Sequence, residues 1–314
     1  MQDTRKIEAL KPAVIIAGPT ASGKTACALA LAKEFKGTIV NADAQQLYRE
    51  LSILTDRPGP EQLALVPHRL FGVLAANDPC SAGRWRDLAL AEMNTASEAG
   101  RLPILVGGTG LYLKALTSGL SSIPPVPPEI RNEATALYER LGHAQFQAEL
   151  ARLDPGMSDM PKDKQRLIRA YEVVAATGKP LRLWQQESGD EAPPFRFAIL
   201  VFDPRRDALY AAIERRFDRM MERGALEEAR KILALNLDPS LPAMKAVGLK
   251  ELISHLKGEM SLAEAVNKAK QSSRNYAKRQ VTWFRHQLPG ARRFPAQFSE
   301  SLEQEIFSFI RHCC

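Results

Sequence analysis

The sequence predicts an α/β fold built on a parallel sheet, and three observations carry that expectation. An apolar run, Ala13-Val14-Ile15-Ile16-Ala17, leads through a glycine-rich turn into a helix expected from Thr25 to Lys36. Further apolar runs at Thr38-Ile39-Val40, Pro103-Ile104-Leu105-Val106 and Phe197-Ala198-Ile199-Leu200-Val201-Phe202 are interspersed with helical periodicity, as in sheets whose strands are joined by crossover helices. Polar residues gather just past Val40 and glycines just past Val106, at the strand ends where open α/β sheets bind ligands.

The turn itself reads Gly18-Pro19-Thr20-Ala21-Ser22-Gly23-Lys24-Thr25. Strand, glycine-rich turn and helix together form a phosphate-binding loop: Gly18 and Gly23 allow a tight turn of inward-facing N–H groups, and the helix adds its N-terminal field. Lys24 can reach terminal phosphate oxygens, and the Thr25 hydroxyl is placed to ligate Mg²⁺. The expected core is therefore P-loop NTPase-like. The motif specifies a diphosphate or polyphosphate without choosing between them.

Along the chain, Thr38–Val40 ends in Asn41-Ala42-Asp43-Ala44-Gln45-Gln46-Leu47-Tyr48. Asp43 leads the candidates for chemistry outside the loop, although an aspartate there also suits a helix N-cap. Residues 52–67 read as irregular, with Thr55-Asp56-Arg57 able to line a site, and His68–Leu74 as a short strand. A helix from Ser81 to Glu98, closed by Gly100, precedes the strand at 103–106 and Gly107-Gly108-Thr109-Gly110. There the glycines bring backbone close to a ligand and Thr109 adds a hydroxyl. After Leu120, a proline-rich crossing opens a helical insertion with periodicity over 129–153 and 163–177 and a polar loop at 188–194. The expected organisation is a first part of the core in 1–120, the insertion in 121–195, and the last core strand with a helical C-terminal region in 196–314. Helices are expected over 205–235, 243–256, 261–287 and, weakly, 297–311.

The 314 residues carry a net charge of +7, a lean towards a polyanionic partner. Met1–Lys11 has no apolar signal core and no run is long enough to span a bilayer, so a cytoplasmic chain without a membrane is expected. Four cysteines show no paired metal-ligand spacing. Lys162, Lys164, Arg166 and Arg169 cluster near one helix start, where the helix field disfavours cations; a bound polyanion would account for them as well as a solvated face would. Lys268–Arg293 holds eight basic residues and no acidic one. Lys270, Arg274, Lys278 and Arg285 fall within about 80° of one another on a helix, while Tyr276, Trp283 and Phe284 occupy another side and are expected to pack as core.

A phosphate loop alone admits a nucleoside triphosphatase, a small-molecule kinase or a transferase with a diphosphate leaving group. The strand at 103–106 ends in glycines and threonine rather than the acidic residue a triphosphatase wants for Mg²⁺. Asp43 suits a kinase or the deprotonation of an incoming nucleophile. A non-enzymatic RNA-binding protein would not need Asp43 and Thr109 together.

The combination of the 18–25 loop, Ala42-Asp43-Ala44-Gln45 with Tyr48, Pro67-His68-Arg69-Leu70, Val106-Gly107-Gly108-Thr109-Gly110-Leu111-Tyr112, Arg166-Leu167-Ile168-Arg169-Ala170 with Glu172-Val173, and Ala277-Lys278-Arg279-Gln280 with Thr282-Trp283 and Arg285 resembles the tRNA dimethylallyltransferase family. The resemblance spans residues 13–287. It implies transfer of the dimethylallyl group of dimethylallyl diphosphate to N6 of the adenine immediately 3′ of the anticodon, in tRNAs whose anticodons end in adenine. The runner-up is a P-loop small-molecule phosphotransferase, a nucleotide-like kinase. The loop also marks the chain as of the nucleotide-binding or ATP-binding kind, but the implied reaction uses no ATP.

In this resemblance Asp43 is the general base towards adenine, and Thr109 lies at the reacting centre. Loop residues 18–25 hold diphosphate with Mg²⁺, and Arg216 reaches the same diphosphate. Anticodon-loop contacts map to Asp43, Ala44, Gln45 and Gln46, to Arg131, to Gln165, Arg166, Leu167, Ile168 and Arg169, and to Lys245, Ala246, Val247, Gly248, Leu249 and Lys250. Thr109 is expected to touch tRNA too, and the basic face adds Arg274, Lys278 and Arg285. The insertion corresponds to the part that clasps the anticodon stem-loop. A monomer without an obligatory protein partner is expected. Departures from the family pattern are Ala44 for serine, Asp56 within Leu54-Thr55-Asp56-Arg57-Pro58, Ala212 for arginine, Leu249 for tyrosine and Ser273 for threonine.

Overall fold

A computed structural model describes residues 10–157, 159–187 and 192–314. Most of Met1–Lys11 and of the polar loop at 188–194 lies outside these. Six parallel strands form one sheet: β1 (Lys11–Ala17), β2 (Gly37–Asn41), β3 (His68–Arg69), β4 (Leu102–Gly107), β5 (Phe195–Phe202) and β6 (Arg292–Phe294). Their order is β3-β2-β4-β1-β5-β6. The phosphate-loop strand is thus flanked by β4 and β5, which explains why its residues Ala13–Ala17 are fully buried.

Alternation along these strands divides the core. Ala13, Ile15, Ala17 and Leu105 face one layer, while Val14, Ile16, Ile104 and Val106 face the other. Helix α1 (Lys24–Glu34) buries Cys27, Ala28, Leu31 and Ala32, an i, i+4 stripe, in the second layer. The short helix α2 (Pro60–Leu65) follows, within the stretch expected to be irregular. Helix α3 (Ala82–Glu98), N-capped by Ser81, puts Trp85, Ala89 and Met93 into the first layer. Trp85 stacks on Tyr112 of helix α4 (Gly110–Ser118), with centroids 4.5 Å apart, and its Nε1 donates to the Asn41 carbonyl at 2.9 Å.

The chain divides into two compact units, Ser118–Ala192 and the flanking Met1–Thr117 with Pro193–Cys314. The smaller unit contains α5 (Pro128–Leu153), kinked at Gly142, α6 (Lys164–Thr177) and α7 (Leu181–Gln186). Its core includes Ala134, Phe146, Leu150, Leu167, Ile168 and Val174. In the larger unit, β5 begins at Phe195, two residues before the expected strand, because the aromatic at 195 packs in the core.

Helices α8 (Arg206–Glu222), α9 (Ala225–Ala234), α10 (Leu249–Leu256) and α11 (Leu262–Gln287) follow β5, and α12 (Glu303–Cys313) ends the chain. The helix expected over 205–235 is two, because Gly224 adopts a φ of +97° between them. The strand expected over 68–74 stops at Arg69, since Leu70 (φ +63°) and Gly72 (φ +62°) turn the backbone out of the extended region. Among the described residues no helix is long and apolar enough to cross a membrane.

Trp85→Phe is expected to lower stability by about 1–3 kcal/mol, since it removes the buried donor to Asn41 together with part of the stacked surface. A urea midpoint equal to that of the parent chain would contradict this role for Trp85.

Candidate active site

Loop 18–25 joins β1 to α1, with the helix beginning at Lys24. Gly23 has a φ of +87°, and a Cβ there would lie 2.9 Å from the Phe298 Cβ, so both conformation and space require glycine. The stretch after β6 braces the loop. Phe298 N donates to Ser22 O at 3.1 Å, and Gln297 Nε2 donates to Ala21 O at 3.1 Å.

Three cationic or amide side chains then converge on the loop. Lys24 Nζ donates to Pro19 O at 2.6 Å. Removal from water pushes its ammonium down to about 7; nearby Asp43 opposes the shift and Arg216 adds to it. From α8, Arg216 donates through Nε to Asp56 Oδ2 at 2.9 Å, through Nη2 to Thr55 O at 3.0 Å, and through Nη1 to the Thr20 hydroxyl. From α11, Gln280 accepts from Thr20 N at 2.9 Å and donates to Gly108 O at 2.9 Å. That one amide ties the turn after β1 to the turn after β4.

Asp43 follows β2. Its backbone N–H donates to Asn41 Oδ1 at 2.8 Å, and its own Oδ1 accepts from Gln45 N at 2.9 Å. The carboxylate therefore closes a tight turn with Gln45, where the 3₁₀ turn Gln45–Leu47 begins, while lining a cavity. Thr109 accepts from Ala44 N at 2.9 Å, and the Tyr276 phenol lies beside its hydroxyl. Thr109 thus lies behind the Asp43 turn and is not among the residues lining the cavity. Burial holds the Tyr276 hydroxyl well above its ordinary range.

The cavity has a volume of about 450 Å³ and is lined by Thr20–Ala26, Asp43, Asp56, Arg216 and Gln280 among others. A smaller recess of about 50 Å³ shares Thr20, Asp43 and Arg216 with it. Leu54, Ile213, Phe217, Met220 and Val247 give that recess apolar walls, and Tyr276 also lines it. The phosphate loop, Arg216 and Asp43 are therefore brought together, with a partly apolar recess against the same three groups, whose other walls include Gln45, Thr55 and Ser273.

The expected RNA-contacting positions distribute differently. Leu167, Ile168, Ala246 and Leu249 are buried and pack in the core, so they support exposed neighbours instead of offering a surface themselves. Gly248 has a φ of +91° and packs against Phe217. Lys245, Lys250 and Gln165 are exposed. Arg131 and Arg169 both pair with buried Glu172, at 3.5 and 3.2 Å, and Arg166 pairs with Asp163 at 3.3 Å. Lys164 pairs with Glu139. On α11, Arg274 pairs with Glu214 at 2.5 Å and Arg285 with Asp203 at 3.1 Å, whereas Lys278 is exposed. The basic face is thus more compensated than its sequence indicates, because its acidic partners come from distant segments.

Sequence reading missed Gln280 as a site residue and the part played by Asp56. Asp56 also accepts from Arg223 at 2.9 Å, and both arginines hold its carboxyl below the usual range against the opposing effect of burial. The segment carrying it is pinned from α9. Glu228 Oε2 accepts from Ser52 N and Ile53 N at 2.8 Å each, and Oε1 from Leu54 N at 2.8 Å.

Fold and site together define a phosphate-loop protein that can hold a diphosphate-like anion beside a carboxylate and an apolar recess. The model of the IPP transferase family matches residues 46–287, and that of isopentenyl transferase matches residues 12–72. A tRNA dimethylallyltransferase of Rhodospirillum centenum is 55% identical, over 91% of this chain and 92% of its own length. The crystal structure of a tRNA isopentenylpyrophosphate transferase from Bacillus halodurans is 30% identical, covering 96% of this chain and 97% of that one, with a TM-score of 0.70. A eukaryotic dimethylallyltransferase acting on tRNA is 25% identical, covering 88% and 71%, with a TM-score of 0.75. The chain belongs to the IPP transferase family of tRNA dimethylallyltransferases.

Gln280→Leu is expected to leave Thr20 N–H and Gly108 C=O without their partner and to destabilise the fold by about 2–6 kcal/mol, allowing about 1–3 kcal/mol for each orphaned group. Urea unfolding checks the first effect. Hydrogen exchange should show faster exchange at Thr20 than at Leu31 relative to the parent chain; unchanged exchange at Thr20 would contradict the tie.

Proposed function

We propose that the chain transfers the dimethylallyl group of dimethylallyl diphosphate to N6 of the adenine immediately 3′ of the anticodon, in tRNAs whose anticodons end in adenine, and releases diphosphate. The observation that carries this reading is the shared cavity: Lys24, Thr25 and Arg216 border the same space as Asp43, and an apolar recess opens beside them. Diphosphate lies along loop residues 18–25. Lys24 exchanges the Pro19 carbonyl for phosphate oxygens, and Arg216 keeps its ties to Asp56 and Thr55 while a remaining N–H meets the leaving oxygen. The dimethylallyl chain occupies the recess formed by Leu54, Ile213, Phe217, Met220 and Val247.

Asp43 receives the proton from the adenine N6 as carbon bonding develops. The amine is a weak nucleophile because its lone pair is delocalised into the ring, so proton removal lowers the barrier. One Asp43 oxygen is occupied by Gln45 N, which orients the carboxylate and leaves the other for the acceptor. Thr109 and Tyr276 act through the Asp43 turn, holding Ala44 and hence the carboxylate in place. The apolar recess keeps water from the allylic centre, and the base must leave its stack to enter.

Mg²⁺ fits the donor set, since Thr25 offers a hard hydroxyl oxygen and the diphosphate supplies the rest. Among the described residues no cluster of His, Cys, Asp and Glu offers a separate metal site. When bound, the ion neutralises charge growing on diphosphate. The smaller helical unit, through Arg131, Gln165, Arg166 and Arg169, and Lys245, Lys250 and Lys278 of the larger one meet the RNA backbone. Electrostatic attraction of this kind is salt-dependent. A cytoplasmic monomer completes the reading.

Incubation with labelled dimethylallyl diphosphate and unmodified tRNA, followed by nucleoside analysis, is expected to place label on N6 of that adenine. ATP turnover without RNA labelling would overturn the reading. Lys24→Ala should lower single-turnover transfer by about 10²–10³-fold while tRNA affinity stays within about twofold; transfer at the parent rate would contradict its role. Asp43→Asn should lower transfer by about 10²–10⁴-fold at every Mg²⁺ concentration. Near-full rescue by added Mg²⁺ would assign Asp43 to the metal instead of the acceptor.

A further inference from the structure

The cavity wall contains two cations that the proposed chemistry leaves unused. Arg215 and Arg219 stand one turn apart on α8 and line the same cavity as Ser22–Thr25. Both are exposed, and the structure gives neither side chain a hydrogen bond or ion pair among the described residues. The carboxylates nearest in sequence are committed elsewhere: Glu214 pairs with Arg274 at 2.5 Å, and Asp218 with Lys270 at 2.6 Å. Of the two carboxylates on the cavity wall, Asp56 already bridges Arg216 and Arg223, and Asp43 caps Gln45. Ala212, one turn before Arg215, contributes only a methyl group to the same wall and leaves room for longer side chains.

Charge balance gives the pair a purpose. Asp56 neutralises much of the charge that Arg216 brings, and Lys24 sits where burial weakens its hold on a proton. A multiply charged anion in this cavity, even with Mg²⁺ on some of its oxygens, gains from further cations, and Arg215 and Arg219 border it. We propose that Arg215 and Arg219 form an outer clamp for the distal phosphate of the donor diphosphate, holding it on the donor and in the released product. The inference rests on the reading that the cavity takes diphosphate. It concerns selectivity for a diphosphate over a monophosphate, with the loop taking one phosphate and the pair on α8 the other. A phosphate of RNA is a weaker match, because the pair lines the wall shared with the loop.

The experiment is steady-state transfer by the full chain with inorganic diphosphate and, separately, inorganic phosphate as competitors of dimethylallyl diphosphate. The double variant Arg215→Ala/Arg219→Ala is expected to raise the donor KM and the inhibition constant of diphosphate by about 5–50-fold, the range for charge-assisted contacts discounted for exposure. Inhibition by inorganic phosphate and the tRNA KM should change by less than about twofold, and Arg215→Lys/Arg219→Lys should recover part of the loss. Unchanged diphosphate inhibition would overturn the clamp, as would a loss confined to the tRNA KM, which would assign the pair to RNA. Lys24→Ala, measured in parallel, separates the two levels: if it also leaves diphosphate inhibition unchanged, the diphosphate reading itself fails. If Lys24→Ala weakens inhibition and the double arginine variant does not, only the clamp fails.

Discussion

One buried amide holds the working end of the sheet together. Gln280 accepts from Thr20 N in the turn after β1 and donates to Gly108 O in the turn after β4. It can approach because position 108 has no side chain: a Cβ there would lie 2.1 Å from Gln280 Nε2. The third strand end joins through Thr109, whose hydroxyl holds Ala44 N beside Asp43. Three neighbouring strands thus deliver the phosphate loop, the glycine turn and the carboxylate to one place. Unpaired polar groups in that setting would be costly, so the arrangement is strongly determined.

Arg216 depends on a second, more peripheral set of contacts. Glu228 pins the backbone of Ser52–Leu54, and that segment presents Asp56 and the Thr55 carbonyl to the guanidinium. The arginine consequently reaches the loop already oriented, with little side-chain freedom to lose when an anion arrives. Lys24 is less committed: among the described residues its ammonium has one hydrogen-bond partner, the Pro19 carbonyl. An inner pair of cations, one pre-set and one exchangeable, suits a group whose charge grows during the reaction.

The strand–loop–helix unit and the Asp43 turn were legible in the sequence because they are local: each is a short run of residues whose spacing itself sets the geometry. Gln280 was not, since its partners lie 260 and 172 positions away and a glutamine within a basic helix carries no periodic signal. Asp56 read as part of an irregular stretch and as a departure from the family pattern; its partners, Arg216 on α8 and Arg223 just past it, gave it meaning. Strand β6 escaped because three residues, Arg292–Phe294, at a sheet edge form too short a run. The basic face of α11 illustrates the opposite error. Its charges were legible, but the carboxylates that meet Arg274 and Arg285 are supplied by α8 and by Asp203.

The proposed reaction divides its labour within one cavity: Lys24 serves the diphosphate and Asp43 serves the acceptor. Equilibrium binding of an unreactive thiolo analogue of dimethylallyl diphosphate, in the presence of Mg²⁺ and without tRNA, tests it most directly. The account predicts that Lys24→Ala weakens the analogue by about tenfold or more, the scale of a charge-assisted contact, while Asp43→Asn changes it by less than about twofold. Equal losses in the two variants would contradict that division.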